Sequence, residues 1–469
     1  MPRGQVTIEH ESHRIQSNVC DPCMTSHQWS GLTGAMLRIL LYLGIVFSPL
    51  ILVALARPLT DHSFVYTAGK NLALVGFTIL ALQFVLSARL KWIERPFGLN
   101  VLFHFHKAMA VLASLLLISH PVLIAIGGDN WGVIFGPQVM WHLWLGRIAL
   151  LILLVHVLLA SFRFIIKLNY ETWRFVHNLG AALILPLGFF HSWNAGGDLQ
   201  LAWMKALWGV LLFAAGASYL WHRVVRRMLL RRSPYKVVEV QRESNGVWTI
   251  SLAPAEGVHR FDYLPGQFHF LTFQRASNLP VEEHHWTISS SPTTPGVLCS
   301  TIKESGDFTA SIGKTKPGDI ALVDGPFGRF SYTLHPDERE LVFIAGGIGI
   351  TPLMSMLRHI HDTQAQRSVI LLYANSSEED IVFHNELADM ERAGASRLHV
   401  VHVLSKPSDG WRGERGRLDE DKIKRLSGPE LTRRAFYVCA PPDLLDLTIR
   451  TLRSANVPAA RIHFERFNL

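Results

Sequence analysis

Cysteine is scarce in this chain, four residues in 469. They are divided between its two halves, so no disulfide framework holds the fold, and the soluble part suits a reducing compartment. Charge is sparse too, at 17% of residues with a net +8. The basic residues cluster beside apolar segments, which argues for membrane topology and membrane lipid as a partner, and against nucleic acid. The first apolar run begins only after residue 35, so no cleavable signal sequence is read. No calcium-binding loop is recognised, and no obligatory protein partner is evident. Long apolar runs are missing beyond about residue 225.

Those runs fill the first half. Hydrophobic residues make up 49% of the whole, and six spans are readable at roughly 36–56, 69–89, 101–126, 141–162, 174–194 and 203–222, each near the length a bilayer requires. The loops after the second, fourth and sixth spans carry the cations: Arg89, Lys91 and Arg95, then Arg163, Lys167 and Arg174, then Arg223, Arg226, Arg227, Arg231 and Arg232. The opposite loops hold only Arg57 and Lys70. The positive-inside rule therefore places the N-terminus and the second half in the cytoplasm. Trp131, Trp141, Trp144 and Trp193 are expected in an outer aromatic belt.

Histidine is conspicuous within these spans. His106 and His120 lie 14 residues apart, and so do His177 and His191. On a helix that spacing is about 21 Å and about 40° from register, so each pair shares one face with one imidazole toward either side of the membrane. Neutral imidazole is a strong ligand for haem iron. A third pair in the fourth span, His142 and His156, has the same spacing, and geometry alone does not choose among the three helices.

From about residue 235 the pattern turns to short alternating strands, YKVVEVQR, GVWTISLAP and QFHFLTF, which suggest a small antiparallel barrel. His284-His285-Trp286-Thr287-Ile288-Ser289-Ser290 follows, then Lys303 to Thr309, KESGDFT. The strand LVFIAG leads into Gly346-Gly347-Ile348-Gly349-Ile350-Thr351-Pro352 and an apolar helix. Glycines there admit a pyrophosphate to the backbone, the helix start favours an anion, and Pro352 suits a first turn. VILLYAN, LHVVHVL and AFYVCA alternate with helical segments, as in a parallel nucleotide-binding sheet.

Taken together, the histidine pairs, HHWTISS, GPFG at 325–328, AGGIGITP at 345–352 and FYVCAPP with HFERF resemble the NADPH oxidase and ferric reductase superfamily, whose soluble half is similar to ferredoxin–NADP reductases. The resemblance covers roughly 36–469. Beyond a polar N-terminal arm (1–35) that lies outside it, it implies a multidomain chain: a six-helix membrane haem domain (36–230), an antiparallel β-barrel FAD domain (235–335) and an α/β NAD(P)-binding domain (340–469). It further implies haem ligands from the third and fifth spans: His106 with His177 for an inner haem, His120 with His191 for an outer one. His142 and His156 become packing, propionate or proton-path residues.

For FAD the same resemblance assigns His284 to the ribityl or phosphate chain, Trp286 as the stacking surface, Thr287 near the reactive ring nitrogen, and Ser289 with them. His285 stands where the family has proline. Lys303, Gly306, Asp307, Phe308 and Thr309 correspond to the pyrophosphate segment. Gly346, Gly347, Gly349, Thr351 and Pro352 correspond to the nicotinamide nucleotide's phosphate loop. Cys439 matches the cysteine beside the nicotinamide, with Ala440 in place of the family's glycine, and Phe467 the aromatic that covers the flavin. Cys439, Thr287 and Phe467 are the expected catalytic positions. NADPH is expected by family, with NADH close behind, since Ala374 to Glu379 offer no arginine for a 2′-phosphate; Arg412, Arg415 and Arg417 are the cations that would reach it.

The implied activity is electron transfer from cytosolic NAD(P)H through FAD and two b-type haems to an acceptor outside the plasma membrane, dioxygen giving superoxide or, alternatively, a ferric chelate. Arg147 is expected to attract an anionic acceptor or pair with a haem propionate. A lone Cys20/Cys23 pair in the arm is read as an unstructured tail.

Overall fold

The structure is a computed structural model that describes residues 24–56, 63–163, 165–195, 197–276, 278–394 and 397–466, with side chains from residue 33 onward. Cys20, Cys23 and Phe467 lie outside these residues. The first half is helical: α1 (Met24–Ala56), α2 (Phe64–Ser87), α3 (Lys91–Phe97), α4 (Leu99–Gly127), α5 (Gly132–Phe135), α6 (Trp141–Phe162), α7 (Tyr170–Ala195), α8 (Ala202–Leu220) and α9 (Arg226–Arg232). Among the described residues, six helices are long and apolar enough to cross a membrane, the last running through a π-helical turn, Trp221–Val225, to Arg232. The six expected spans are therefore present.

Close crossings decide how these helices pack. Ser63 caps α2 by accepting from the Tyr66 amide at 3.3 Å and donates to the Gly127 carbonyl at 2.8 Å, tying the start of α2 to the end of α4. A Cβ on Gly127 would come within 2.3 Å of the Tyr66 nitrogen, so only glycine permits that approach. At the bundle's centre Trp208 is fully buried, stacks on Phe77 at 5.5 Å, and donates its indole N–H to Ser192 at 2.9 Å. Trp131, Trp141 and Trp144 are exposed at the end of the bundle away from the flavin sheet, whereas Trp193 packs inward against Phe189.

Next come β1 (Tyr235–Ser244), β2 (Val247–Pro254), β3 (Phe268–Gln274), β4 (Glu283–Thr287), β5 (Leu298–Lys303) and β6 (Ile320–Phe327), antiparallel in the order β4-β3-β6-β1-β2-β5. The two edge strands meet just past β4, where the Ser289 amide donates to the Cys299 carbonyl at 2.8 Å, closing the sheet on its core. The last unit is wholly parallel: β7 (Glu340–Gly346), β8 (Ser368–Asn375), β9 (Leu398–Leu404), β10 (Glu414–Arg415), β11 (Ala435–Cys439) and β12 (Ile462–Glu465), ordered β10-β9-β8-β7-β11-β12. It is flanked by α10 (Ile350–Asp362), α11 (His384–Ala393), α12 (Glu420–Leu426) and α13 (Pro442–Ser454). Its central strands are buried on both faces, which is why they read as unbroken apolar runs.

Replacing Trp208 by alanine removes the bundle's largest buried side chain and leaves Ser192 without its donor. We expect a loss of about 3–5 kcal/mol, measured as a lowered midpoint of thermal unfolding in detergent, with the soluble half's transition unmoved.

Candidate cofactor sites and the joint between the halves

The histidine pairs face each other across α4 and α7. His106 and His177 have ring centres 6.5 Å apart, and His120 and His191 6.4 Å apart, with planes inclined at 61° and 64°. A metal ion bonded to both imidazoles at about 2 Å holds ring centres about 6 Å apart, so each gap suits one iron. The pair remote from the flavin sheet borders a cavity of about 430 Å³ walled by α2, α4, α6, α7 and α8. There the rings are oriented by backbone: His120 Nδ1 lies 3.0 Å from the Gly69 carbonyl and His191 Nδ1 2.9 Å from the His142 carbonyl. Both Nδ1 atoms must donate, which leaves both Nε2 lone pairs for a metal. Gly146 gives His191 its room, since a Cβ there would lie 2.6 Å from Nδ1.

At the other level, His106 Nδ1 and His177 Nδ1 are buried and make no hydrogen bond to a described residue. Packing orients them instead: Trp173 lies 5.1 Å and His156 4.3 Å from the His177 ring. His142 and His156 thus border the two levels, one contributing a carbonyl and the other a ring contact. Arg147 lines the cavity of the remote pair and is also tied to backbone. Its guanidinium donates to the carbonyls of Val133, Gly136 and Gly132 at 3.2, 2.7 and 2.8 Å, fastening the 128–140 loop over the end of the cavity. Lys70 and Asp198 pair at 2.8 Å on the same wall.

In the flavin sheet, β4 is two-sided. His284, Trp286 and Phe308 form an aromatic patch, with His284 4.3 Å from Phe308 and Trp286 stacked on Phe308 at 5.8 Å. Such a patch offers a flat ring a stacking surface. His284 also pairs with Glu282 at 2.8 Å. His285 points the other way, into Phe268 and Phe270, on a regular ladder where it opposes Phe270; burial first, then Arg89, holds its pKa down at about 4. Thr287 is buried opposite Phe268. Ser289 Oγ contacts the Cys299 carbonyl and Thr301. Lys303 ends β5 exposed, as are Gly306 and Asp307. Thr309 Oγ1 accepts from the Gly306 amide at 2.9 Å, so that amide is already engaged.

The glycine turn after β7 places Gly347 at φ +53° and runs through Gly349 into α10, whose first turn contains Thr351 and Pro352. A Cβ on Gly349 would stand 2.1 Å from the Cys439 carbonyl oxygen. Cys439 is completely buried, and burial followed by the nearby Glu465 carboxyl pushes its thiol well above the usual range. Glu465, which pairs with Cys439 across the sheet, has its carboxyl pushed up to about 8 by burial. At the end of β8, Glu378 accepts from the Ser408 amide at 3.0 Å, while Arg415 donates to the carbonyls of Ser408, Asp409 and Trp411. Arg415 is thereby committed to its own loop; Arg412 and Arg417 are not brought to the β8 end by any hydrogen bond the structure forms.

Sequence reading did not find the joint between the halves. Glu283, next to His284, receives Arg89 at 3.0 Å and Arg226 at 2.6 Å. Asp324 lies 3.2 Å from Arg226, without hydrogen-bond alignment at its Oδ2, and 3.8 Å from Arg89. Burial alone would raise the Glu283 carboxyl, but Arg89 and Arg226 outweigh it and hold it down at about 2. Arg89 also covers the Phe270 ring at 3.4 Å, and Lys91 the Phe327 ring at 3.3 Å. Glu94 accepts from the Gly328 amide at 3.2 Å, and Arg329 donates to the Arg95 carbonyl at 2.7 Å. Beneath them Leu99 and Phe103 pack on Phe268, Phe270 and Phe327. GPFG thus forms part of the dock for the loop after the second span. The available signal was charge alternation at Arg89, Arg226, Glu283 and Asp324, which is invisible without the fold.

The family described as "Ferric reductase like transmembrane component" matches residues 72–188, and "Oxidoreductase NAD-binding domain" matches residues 343–449. The glycine betaine monooxygenase reductase subunit of Pseudomonas aeruginosa is 32% identical over 211 residues, 44% of this chain and 57% of that protein. NADH-cytochrome b5 reductase 2 of Rattus norvegicus is 33% identical over 158 residues, 30% of this chain and 57% of that protein. The chain thus spans a little over half the length of these curated relatives. Among solved structures, the cytochrome b5 reductase domain of Ulva prolifera nitrate reductase is 21% identical with a TM-score of 0.45, covering 50% of this chain and 98% of that one. Flavohemoglobin from Malassezia yamatoensis is 16% identical with a TM-score of 0.47, covering 86% and 96%. The two family matches place a ferric reductase-like transmembrane component in the first half of the chain and an oxidoreductase NAD-binding domain in the second, in the order its motifs resemble.

Glu283→Ala leaves two buried guanidiniums with one acid between them, and we expect the joint to weaken by about 3–5 kcal/mol, seen calorimetrically as earlier, separate unfolding of the soluble half. Because the folded carboxyl titrates below its ordinary value, its contribution is complete above about pH 4.5 and fades as pH falls toward 2. Acidification to pH 5 should therefore leave the wild-type joint intact.

Proposed function

We propose that this chain carries electrons across the plasma membrane, from NAD(P)H on the cytoplasmic side, by way of FAD and two stacked b-type haems, to dioxygen on the outer side, giving superoxide. The observation that carries this reading is the two facing histidine pairs, each spaced for one iron, at two levels of the same helix pair. When bound, FAD would turn two-electron hydride chemistry into single-electron transfers and the haems would relay single electrons through the bundle. One hydride supplies two electrons, so two dioxygen molecules are consumed per NAD(P)H and one proton is released.

The chain's own residues set the route. The glycine turn and the start of α10 would receive the dinucleotide's phosphates, with Gly349 held bare by Cys439. Trp286, His284 and Phe308 would take the flavin, and Thr287 its reactive edge, with Lys303 and residues 306–309 beside the phosphates. Phe268, Phe270 and Phe327 carry van der Waals contact from that sheet to Phe103, one helical turn before His106. His106 and His177 would hold the inner haem, His120 and His191 the outer one. The basic loops lie on the flavin side, which supports a cytoplasmic dehydrogenase half. With Arg415 tied into its loop and Glu379 exposed at the β8 end, a free 2′-hydroxyl is accommodated better than a 2′-phosphate, which favours NADH over NADPH.

Dioxygen is preferred as acceptor because Val133 and Ile134, on the loop fastened by Arg147, wall the remote cavity with apolar side chains, which suits a small neutral acceptor better than a bulky charged chelate. Reduction of a ferric chelate is the second reading, favoured by the description of the family matching residues 72–188. Purified holoenzyme given NADH or NADPH should reduce cytochrome c in a superoxide dismutase-sensitive manner; insensitivity, with rapid ferrous iron formation from a ferric chelate, would select the second reading. His120→Ala should lower haem content from two to one per chain by pyridine haemochrome assay, with flavin reduction by NADH unchanged.

A further inference from the structure

Away from these sites, three metal-ligating side chains converge where the flavin sheet hands over to the nucleotide-binding sheet. His335-Pro336-Asp337-Glu338 is a tight turn in which the Glu338 amide donates to the His335 carbonyl at 3.2 Å. Proline at its second position suits that geometry, and Arg367 pins it by donating to the Pro336 carbonyl at 2.9 Å. The turn brings His335 and Glu338 against His463 of β12. One nitrogen or carboxylate oxygen from each of the three lies within 4.8 Å of the others.

Glu338 is held on both oxygens, by His463 Nε2 at 2.8 Å and by the Tyr437 hydroxyl at 2.6 Å. His335 lies against His463 with ring centres 4.1 Å apart and planes inclined at 32°, yet neither of its ring nitrogens makes a hydrogen bond to a described residue. We propose that His335, Glu338 and His463 form a binding site for a divalent first-row cation, with Tyr437 supporting the carboxylate.

Two neutral imidazoles and one carboxylate are a donor set for such ions, and with three protein ligands the fourth tetrahedral position stays open to water. A Zn²⁺ about 2.0–2.1 Å from each donor separates the donors by about 3.3 Å. The His463–Glu338 contact therefore opens by a fraction of an ångström, with the His463 proton carried on Nδ1 so that Nε2 can ligate, the wider separations of up to 4.8 Å close toward the same value, and Tyr437 keeps its grip on the other oxygen. The three donors come from two rigid pieces: a proline turn, and a strand in register with β11 (Tyr437 opposite His463). The ion would tie the connector between the two soluble domains to β12, two residues before Glu465. The site takes no part in the proposed electron route, so it stands or falls separately.

The test uses full-length holoenzyme, freed of adventitious metal by chelation and desalting, titrated with Zn²⁺ against a chromophoric chelator. Wild type should bind one more tight equivalent than His335→Ala or His463→Ala, whose FAD content and melting temperature serve as folding controls. Tyr437→Phe should keep that equivalent but weaken it by about tenfold or more. Any other Zn²⁺ site is common to all four proteins and cancels in the difference. If His463→Ala fails to retain FAD, His335→Ala decides alone, because its side chain makes no hydrogen bond that the fold loses. Equal stoichiometry and affinity in wild type and His335→Ala overturn the proposal.

Discussion

The docking of the flavin sheet on the membrane half turns on Glu283 being held between Arg89 and Arg226. Two guanidiniums at the cytoplasm-facing ends of membrane helices, by the proposed topology, meet two carboxylates on the flavin sheet, and the four charges sum to zero. Ions so enclosed lose several kcal/mol of hydration each, which the pairing must offset. The arrangement gains little as a generic adhesive, because apolar surface would hold two domains as well. What it adds is direction. A displaced carboxylate strands two buried cations, so sliding or rotation of the sheet is penalised steeply.

That orientation matters because β4 alternates. Glu283 and His285 face the membrane half, and His284 and Trp286 face the flavin patch, as the period of a strand dictates. One strand therefore sets both the docking register and the position of the aromatic surface, and a one-residue slip would exchange the two faces. The departure of His285 from the family's proline falls on the docking face, among Phe268, Phe270 and Arg89, not on the flavin patch. Arg89 itself adopts a left-handed backbone, φ +52°, which turns the chain sharply from α2 into α3 and delivers Arg89, Lys91 and Glu94 to the same face of the sheet.

Much of this was legible in the sequence, and what was legible had periodicity. Six apolar runs gave six helices, alternating strands gave the antiparallel sheet, and unbroken apolar strands between helices gave the parallel one. The histidine pairs stood out because spacing on a helix translates directly into face and depth. The joint did not, because Arg89, Arg226, Glu283 and Asp324 are far apart in the chain, and each reads locally as an ordinary loop or strand-end charge. The partners of Arg147 are hidden for a related reason. A lone cation near an outer membrane surface suggests an anion, whereas its partners are three carbonyls of a loop that has no distinctive composition.

Backbone partners explain the remaining gap, and they separate the two histidine levels. His120 and His191 are aimed by the carbonyls of Gly69 on α2 and His142 on α6. Any residue supplies a carbonyl, so no side-chain pattern announces this. What the sequence does contain is its steric condition: Gly69, where a Cβ would press to 2.9 Å from Leu123, and Gly146, where one would strike the His191 ring. The level near the flavin sheet is built differently, from Trp173 and His156 packed on His177, and Nδ1 of His106 and of His177 has no hydrogen-bond partner among the described residues. A hydrogen bond to Nδ1 increases an imidazole's basicity and fixes its pose, while packing fixes pose alone. Two facing histidine pairs thus differ in a feature that would tune any metal they hold. The difference resides in helix proximity, which glycine permits and which spacing of histidines cannot reveal.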